Sequence, residues 1–343
     1  MMFGVYGAND PSAYLFYNFC AFALQMPFGA LADLICLRLF GADSQKKKLL
    51  YQLITILGIL LTISGMFAGY IVLGIGNAMF HVGGGLRTIL DDREKKKKGA
   101  QLGIFVSPGA IGLFTGRLLS SFRGISVYIR LFWITAAILL VAAGLYILFR
   151  EKRHNDLFSE ESHNNSQKAD DASEPVKSGI SAILLTLLCC FAVVIIRSYI
   201  AFGVEMPWKH GILVGLNATF AVALGKAAGG ILSARIGRFK CVLITLIPAI
   251  ICFAFSVLEI PGMFALFLFN MTMPITLFLL IEKMQDLPGF SFGLLTFGLF
   301  IGFLPVYGKV RLPFGDSVTG VLAGILSLIL LMIALLPEIK RTK

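Results

Sequence analysis

Eleven apolar runs, each close to the roughly twenty residues that a helix needs to cross a hydrocarbon core, leave this chain few ways to fold. They cover approximately 12–32, 49–68, 70–88, 100–120, 128–149, 179–203, 211–233, 239–258, 261–282, 290–308 and 317–336. Inside a bilayer no water pairs the backbone N–H and C=O groups, so runs of this length span as helices. Charged residues make up 14% of the sequence and hydrophobic ones 57%, against roughly 25% charged in a soluble domain. The mean hydropathy is +0.84. The expectation is an all-α, multi-pass membrane protein. The first ten residues lack the cationic start and apolar core of a cleavable signal peptide. Cys20, Cys36, Cys189, Cys190, Cys241 and Cys252 lie in or beside apolar runs. Their spacing suits neither a zinc site nor a disulfide framework, so they are expected to be packing residues.

A net charge of +11 raises the question of nucleic acid, but its distribution answers for topology. If the loop after the first run is inside and sides alternate from there, 22 of the 30 Lys and Arg fall inside and five outside. Arg117, Arg197 and Lys226 remain at or within spans. That asymmetry follows the positive-inside rule, and no nucleic-acid partner is expected. The polar stretch 151–177 reads as a cytoplasmic linker between an N-terminal bundle, 1–150, and a C-terminal bundle, 178–343.

A short motif closes two of the runs. Gly29-Ala30-Leu31-Ala32-Asp33-Leu34 ends the first, and Gly230-Ile231-Leu232-Ser233-Ala234-Arg235-Ile236-Gly237-Arg238 ends a much later one, 201 positions on. Each is followed by cations and a new apolar run. The pair resembles the loop signature Gly-x-Leu-Ala-Asp-Arg-x-Gly-Arg of the major facilitator superfamily, found between helices 2 and 3 and again between 8 and 9. The first copy keeps the Asp and lacks the tail; the second keeps the tail, with Ala234 in place of the Asp. The resemblance implies a two-bundle fold with inverted repeats and about eleven helices here, the first run standing for family helix 2 and family helix 1 having no equivalent. Two explanations stand open: a start codon misassigned downstream of a real first helix, or an eleven-helix relative.

The resemblance also places the runs 49–68, 128–149, 239–258 and 317–336 on the periphery, and these are almost purely aliphatic and aromatic. Glycine concentrates in the equivalents of family helices 4, 5, 8 and 11, where small residues let helices approach closely. Asn77-Ala78-Met79-Phe80-His81, with Arg197-Ser198 further on, is similar to the fosmidomycin-resistance branch, although Val82 stands where that branch has Pro. Gly109, Gly112 and Gly116 are similar to an antiporter signature on helix 5, without its Pro.

Polar groups inside a membrane are costly and point to function. Asn77 and His81 are four apart and share a helix face, and a His with an ordinary pKa near 6.5 suits a coupling proton. Arg117, Arg197 and Lys226 are candidates for the solute pathway, Arg197 and Lys226 also having the option of snorkelling to an interface. Asn270, Thr272 and Thr276 around Pro274 suggest a breakable, cavity-lining span. The motif residues Gly29, Asp33, Gly230, Arg235, Gly237 and Arg238 are the candidate gate, Asp33 pairing with cations of a neighbouring cytoplasmic loop.

No acidic residue falls in mid-span, which disfavours a cationic solute. A P-loop, His-Glu-x-x-His and Gly-x-Ser-x-Gly are all absent. The expectation is a monomeric secondary transporter, not an enzyme and without cofactor or metal, in an inner or plasma membrane. It would move a small anionic or neutral solute, with a proton or other ion where transport is coupled, and efflux rather than uptake. The rival reading is a truncated or non-transporting relative acting as a receptor-like or decayed membrane protein.

Overall fold

The computed structural model describes residues 11–120, 126–159 and 179–339. Among the described residues the secondary structure is helical, and the helices form eleven rods. They are α1 (Ser12–Phe40), α2 (Ser44–Ala68), α3 (Tyr70–Glu94), α4 (Ala100–Val106 continued by Pro108–Ser120) and α5 (Ser126–Ser159). After the linker come α6 (Ile180–Gly203), α7 (Ile212–Ile236), α8 (Arg238–Ala254), α9 (Glu259–Asn270 continued by Thr272–Lys283), α10 (Pro288–Tyr307) and α11 (Asp316–Ile339). Seven of them are long and apolar enough to cross a membrane outright, and Ala100–Gly116 and Leu131–Ile147 are shorter apolar helices. The protein is a multi-pass membrane protein. The rod α5 continues through 151–159, nine residues into the stretch expected to be linker; 160–178 and 1–10 lie outside the described residues.

Large apolar side chains point outward on α2 (Leu53, Leu57), α5 (Ile138, Leu139), α8 (Ile244, Ile251) and α11 (Leu322, Ile329). In water this pattern would be untenable; in lipid it is the stable surface, because the acyl chains are as apolar as the side chains they meet. These four rods are the ones expected at the periphery.

Close approach inside the protein relies on glycine. Gly58 and Gly65 on α2, and Gly76 and Gly83 on α3, each recur after seven residues and so fall on one face. A Cβ on Gly58 would collide with the backbone of Phe80, and one on Gly65 with that of Leu73. Asp43 caps α2 by accepting the Lys46 N–H at 3.0 Å, and that bond holds its carboxyl below the usual range. Three rods are interrupted: α1 by π-turns at Phe19–Ala23 and Cys36–Phe40, α4 at Ser107 before Pro108, and α9 at Met271.

A Gly58→Val variant should lower the apparent Tm in detergent by several degrees, from about 1–3 kcal/mol of overpacking at about 2–4 °C per kcal/mol. Gly109→Ala, where a Cβ would point into open space, should leave Tm unchanged.

Candidate functional site

The inner ends of the two halves meet along two seams. In the first, α1 crosses α10: Gly29 lies so close to Gly289 that a Cβ on either would strike the other's backbone. One helical turn on, Asp33 is 1% exposed and accepts two backbone bonds from the first turn of α10. They come from Gly289 N–H to Oδ1 at 2.9 Å and from Phe290 N–H to Oδ2 at 2.7 Å. The first amides of a helix have no partner of their own and carry its positive dipole end, so a carboxylate is the natural cap. The spacing Gly29–Asp33 thus has a mechanical meaning: glycine admits the helix end and aspartate receives it. The hydrogen-bond partner of Asp33 is a helix N-terminus, and of the cations expected to pair with it Arg93, at the end of α3, is the one that acts on it.

Beside it Arg93, from the end of α3, donates Nη1 to the Gln285 carbonyl at 3.0 Å and Nη2 to the Ile281 carbonyl at 3.1 Å. It caps the C-terminal end of α9, where the dipole is negative. The charges of Asp33 and Arg93 also attract each other. A cavity of about 90 Å³ lies between them, lined among others by Cys36, Lys47, Tyr51 and Asp286.

The second seam is α4 against α7. Gly103 and Gly230 meet there, with a Cβ on either placed 2.9 Å from the other's Cα. Ala234 stands where Asp33 stands in the first copy. The matching helix-start amides, Gln101 N–H at 3.1 Å and Leu102 N–H at 2.9 Å, are instead taken by Asp92, which belongs to the same half as α4. Ser107 Oγ, donating to the Ala223 carbonyl at 2.7 Å, is the cross-seam bond here. Of the other motif residues, Arg238 pairs with Glu282 of its own half and lies over the Phe278 ring. Arg235 is exposed, and Gly237 has φ +87° at the turn into α8. Neither Arg93 nor Asp92 stands out in the sequence, where both read as part of a charged loop; the signal was their position at the inner end of a glycine-rich span.

Near mid-membrane a second group assembles. His81 is the twelfth residue of α3 and Lys226 the fifteenth of α7, so Lys226 lies in mid-span and not at an interface. Arg197 on α6 is 4% exposed, so it does not snorkel. The charge of Arg197 acts on Lys226, and that of Lys226 on His81. Among the described residues no carboxylate acts on any of the three. The Arg197 Nη1 is buried with no hydrogen-bond partner. His81, Asn77 and Lys226 keep part of their surface accessible.

One expected group does not join this cluster. Asn270 donates to Leu266 O, Thr272 to Phe269 O and Thr276 to Met273 O, so all three are buried and bond back to their own helix beside the break in α9 rather than line a cavity wall. Such local bonds stand in for backbone partners lost at an interruption. Arg117 lies on α4, with its side chain outside the described residues.

A family model for the Major Facilitator Superfamily matches residues 11–305. The chain belongs to that superfamily. No curated protein matches it by sequence. Among solved structures this facilitator is similar to the E. coli fucose:proton symporter, at 17% identity and TM-score 0.58, covering 97% of this chain and 92% of that one. It is also similar to the human organic anion transporter MFSD10, at 15% and 0.52, covering 94% and 82%. A bacterial homologue of the iron transporter ferroportin gives 14% and 0.50, covering 96% and 89%. At these identities the likeness shows the fold.

Asp33→Asn should weaken the α1–α10 seam by about 1.5–3 kcal/mol, the worth of a bond to a charged group, and open the inner side. In a variant retaining Cys36 as its only cysteine, alkylation by a membrane-impermeant maleimide applied from the inner face should speed up at least about 10-fold. Arg93→Gln should act in the same direction. Asp92→Asn, which breaks bonds within one half, should lower Tm and leave the labelling rate unchanged.

Proposed function

We propose that this facilitator is a secondary transporter of a small anionic solute, working by alternating access of the halves 1–150 and 178–343 around a central site. The observation that carries the reading is the uncompensated positive charge of Arg197 and Lys226. An ionised group held away from water without a counter-charge costs several kcal/mol. A bound anion supplies the missing partner, and charge-assisted bonds to a guanidinium are strong and directional. Lys226, on α7, adds a second charge, on which that of Arg197 acts. His81, beside Lys226, is the residue we assign to a coupling proton. The Asp33 and Arg93 contacts act as the inner gate, broken whenever the inner side opens. Efflux from an inner or plasma membrane rests on the branch resemblance alone.

The test uses purified protein in detergent and a panel of acetate, benzoate, inorganic phosphate, a neutral sugar and an organic ammonium ion. An anion should raise Tm in proportion to the logarithm of its concentration over Kd, and Arg197→Gln should remove the effect. Stabilisation by the sugar or ammonium alone, or an anion effect that survives both Arg197→Gln and Lys226→Gln, would overturn the reading. Arg197→Met should by itself raise the Tm of the empty protein, by about 1–4 kcal/mol of relieved desolvation, while abolishing anion binding. Stability rising as binding is lost is the signature of a charge kept for its ligand.

A further inference from the structure

The cation pair accounts for one end of the solute, and both its members belong to the C-terminal half. The other half presents a different chemistry. Phe80 and His81 on α3 and Phe105 on α4 form a cluster of ring edges and faces. Phe80 and His81 have centroids 5.3 Å apart at 74°, His81 and Phe105 6.1 Å at 77°, and Phe80 and Phe105 6.4 Å at 34°. All three rings are half-buried, so each keeps accessible surface well inside the span.

The glycine run after His81 is what seats this wall. A Cβ on Gly83 would strike Thr55 of α2, one on Gly85 would lie 2.9 Å from the Phe292 ring of α10, and one on Gly84 would lie 2.7 Å from Cε2 of Phe105. Each glycine therefore receives a different element, and Gly84 is the one that lets the Phe105 ring settle beside His81. Two residues before Phe105, Gly103 packs against α7 with its Cβ position 3.0 Å from the Lys226 carbonyl. Phe105 and Lys226 are thereby held at one level of the α4–α7 crossing.

Hydrogen-bonding groups around the wall are few. Ser107 is committed to the Ala223 carbonyl and Thr88 to the Gly84 carbonyl. Asn77, one turn from His81, and Gln101, one turn before Phe105, are the neutral polar side chains next to the wall along α3 and α4. A sugar or other polyol lying against the ring faces would find no hydroxyl partner on Phe80 or Phe105, at a cost for each hydroxyl turned toward them. A flat apolar body would instead meet ring edges in the offset and edge-to-face arrangements that aromatic pairs prefer.

We infer that the solute is an organic anion with an aromatic body, its carboxylate or sulfonate held by Arg197 and Lys226 and its ring lying against Phe80, His81 and Phe105. This rests on the anionic reading above and adds the chemistry of the uncharged end.

The probes are benzoate, acetate and inorganic phosphate, with benzamide as a neutral ring, each titrated against the purified full-length protein by thermal shift and calorimetry. Benzoate should bind about 10-fold more tightly than acetate, the gain expected from ring burial and ring–ring contact. Phe105→Leu, which conserves most of the volume, should reduce benzoate to the level of acetate and leave acetate unaffected; Phe105→Tyr should keep the preference. Arg197→Gln should lose both anions. Equal affinity for the three anions, or a benzoate preference untouched by Phe105→Leu, would overturn the aromatic inference while the anionic reading stands. Binding of benzamide with no anion bound would overturn both.

Discussion

The contact between the two halves at the α1–α10 seam depends on charge placed on helix ends. Asp33 caps the N-terminus of α10 and Arg93 the C-terminus of α9, so two carboxylate and two guanidinium bonds cross from one half to the other. Both charges meet the dipole end that suits them, and each attracts the other. At about 1.5–3 kcal/mol for a bond to a charged group, with strong coupling among them, the set has the size that the proposed gate needs. Reversing a two-state population from 1:99 to 99:1 takes about 5.5 kcal/mol. A clamp far stronger than that would never open on solute binding, and one far weaker would not exclude the leak state.

The second seam carries no such clamp, and the reason is a single exchange. The carboxylate that the repeat would place at residue 234 is an alanine, and the helix start it would cap is satisfied by Asp92 from within the same half. The buried amides still have their partner, as they must. What changes is the consequence of separation. Opening the α1–α10 seam leaves a buried carboxylate and two amides unpaired, whereas opening the α4–α7 seam parts a glycine contact and one hydroxyl bond. The two halves are alike in shape and unlike in what it costs to part them, so α4–α7 is the softer seam.

The sequence made much of this readable, for definite physical reasons. Bilayer length and the absence of water mark the spans, the cation asymmetry marks the sides, and the two copies of the motif at Gly29 and Gly230 mark the repeat; the helix crossings at those glycines came from the structure. Partners were harder. Asp33 sits among loop cations in the chain, but its partners are the amides of Gly289 and Phe290, more than 250 residues away. No side-chain pattern advertises a backbone donor. Asn270, Thr272 and Thr276 misled for the opposite reason: a polar triplet in an apolar span has the same composition whether it lines a cavity or bonds back to its own helix, and here it bonds back. Arg93 and Asp92 were hidden within a run of charges that topology alone explained.

The central site raises a last question of coupling. Arg197 and Lys226 lie on rods of the same half, so an anion that touched only them would bind the inward-open and outward-open forms equally. A ligand with equal affinity for two states shifts neither, however tightly it binds. To drive the clamp open, the solute must gain contacts that exist only when the halves come together around it. In the proposed reading those contacts are with Phe80, His81 and Phe105, brought to the level of Lys226 by the Gly103–Gly230 crossing. The cation pair then accounts for why an anion enters, and the aromatic wall for why its entry moves anything.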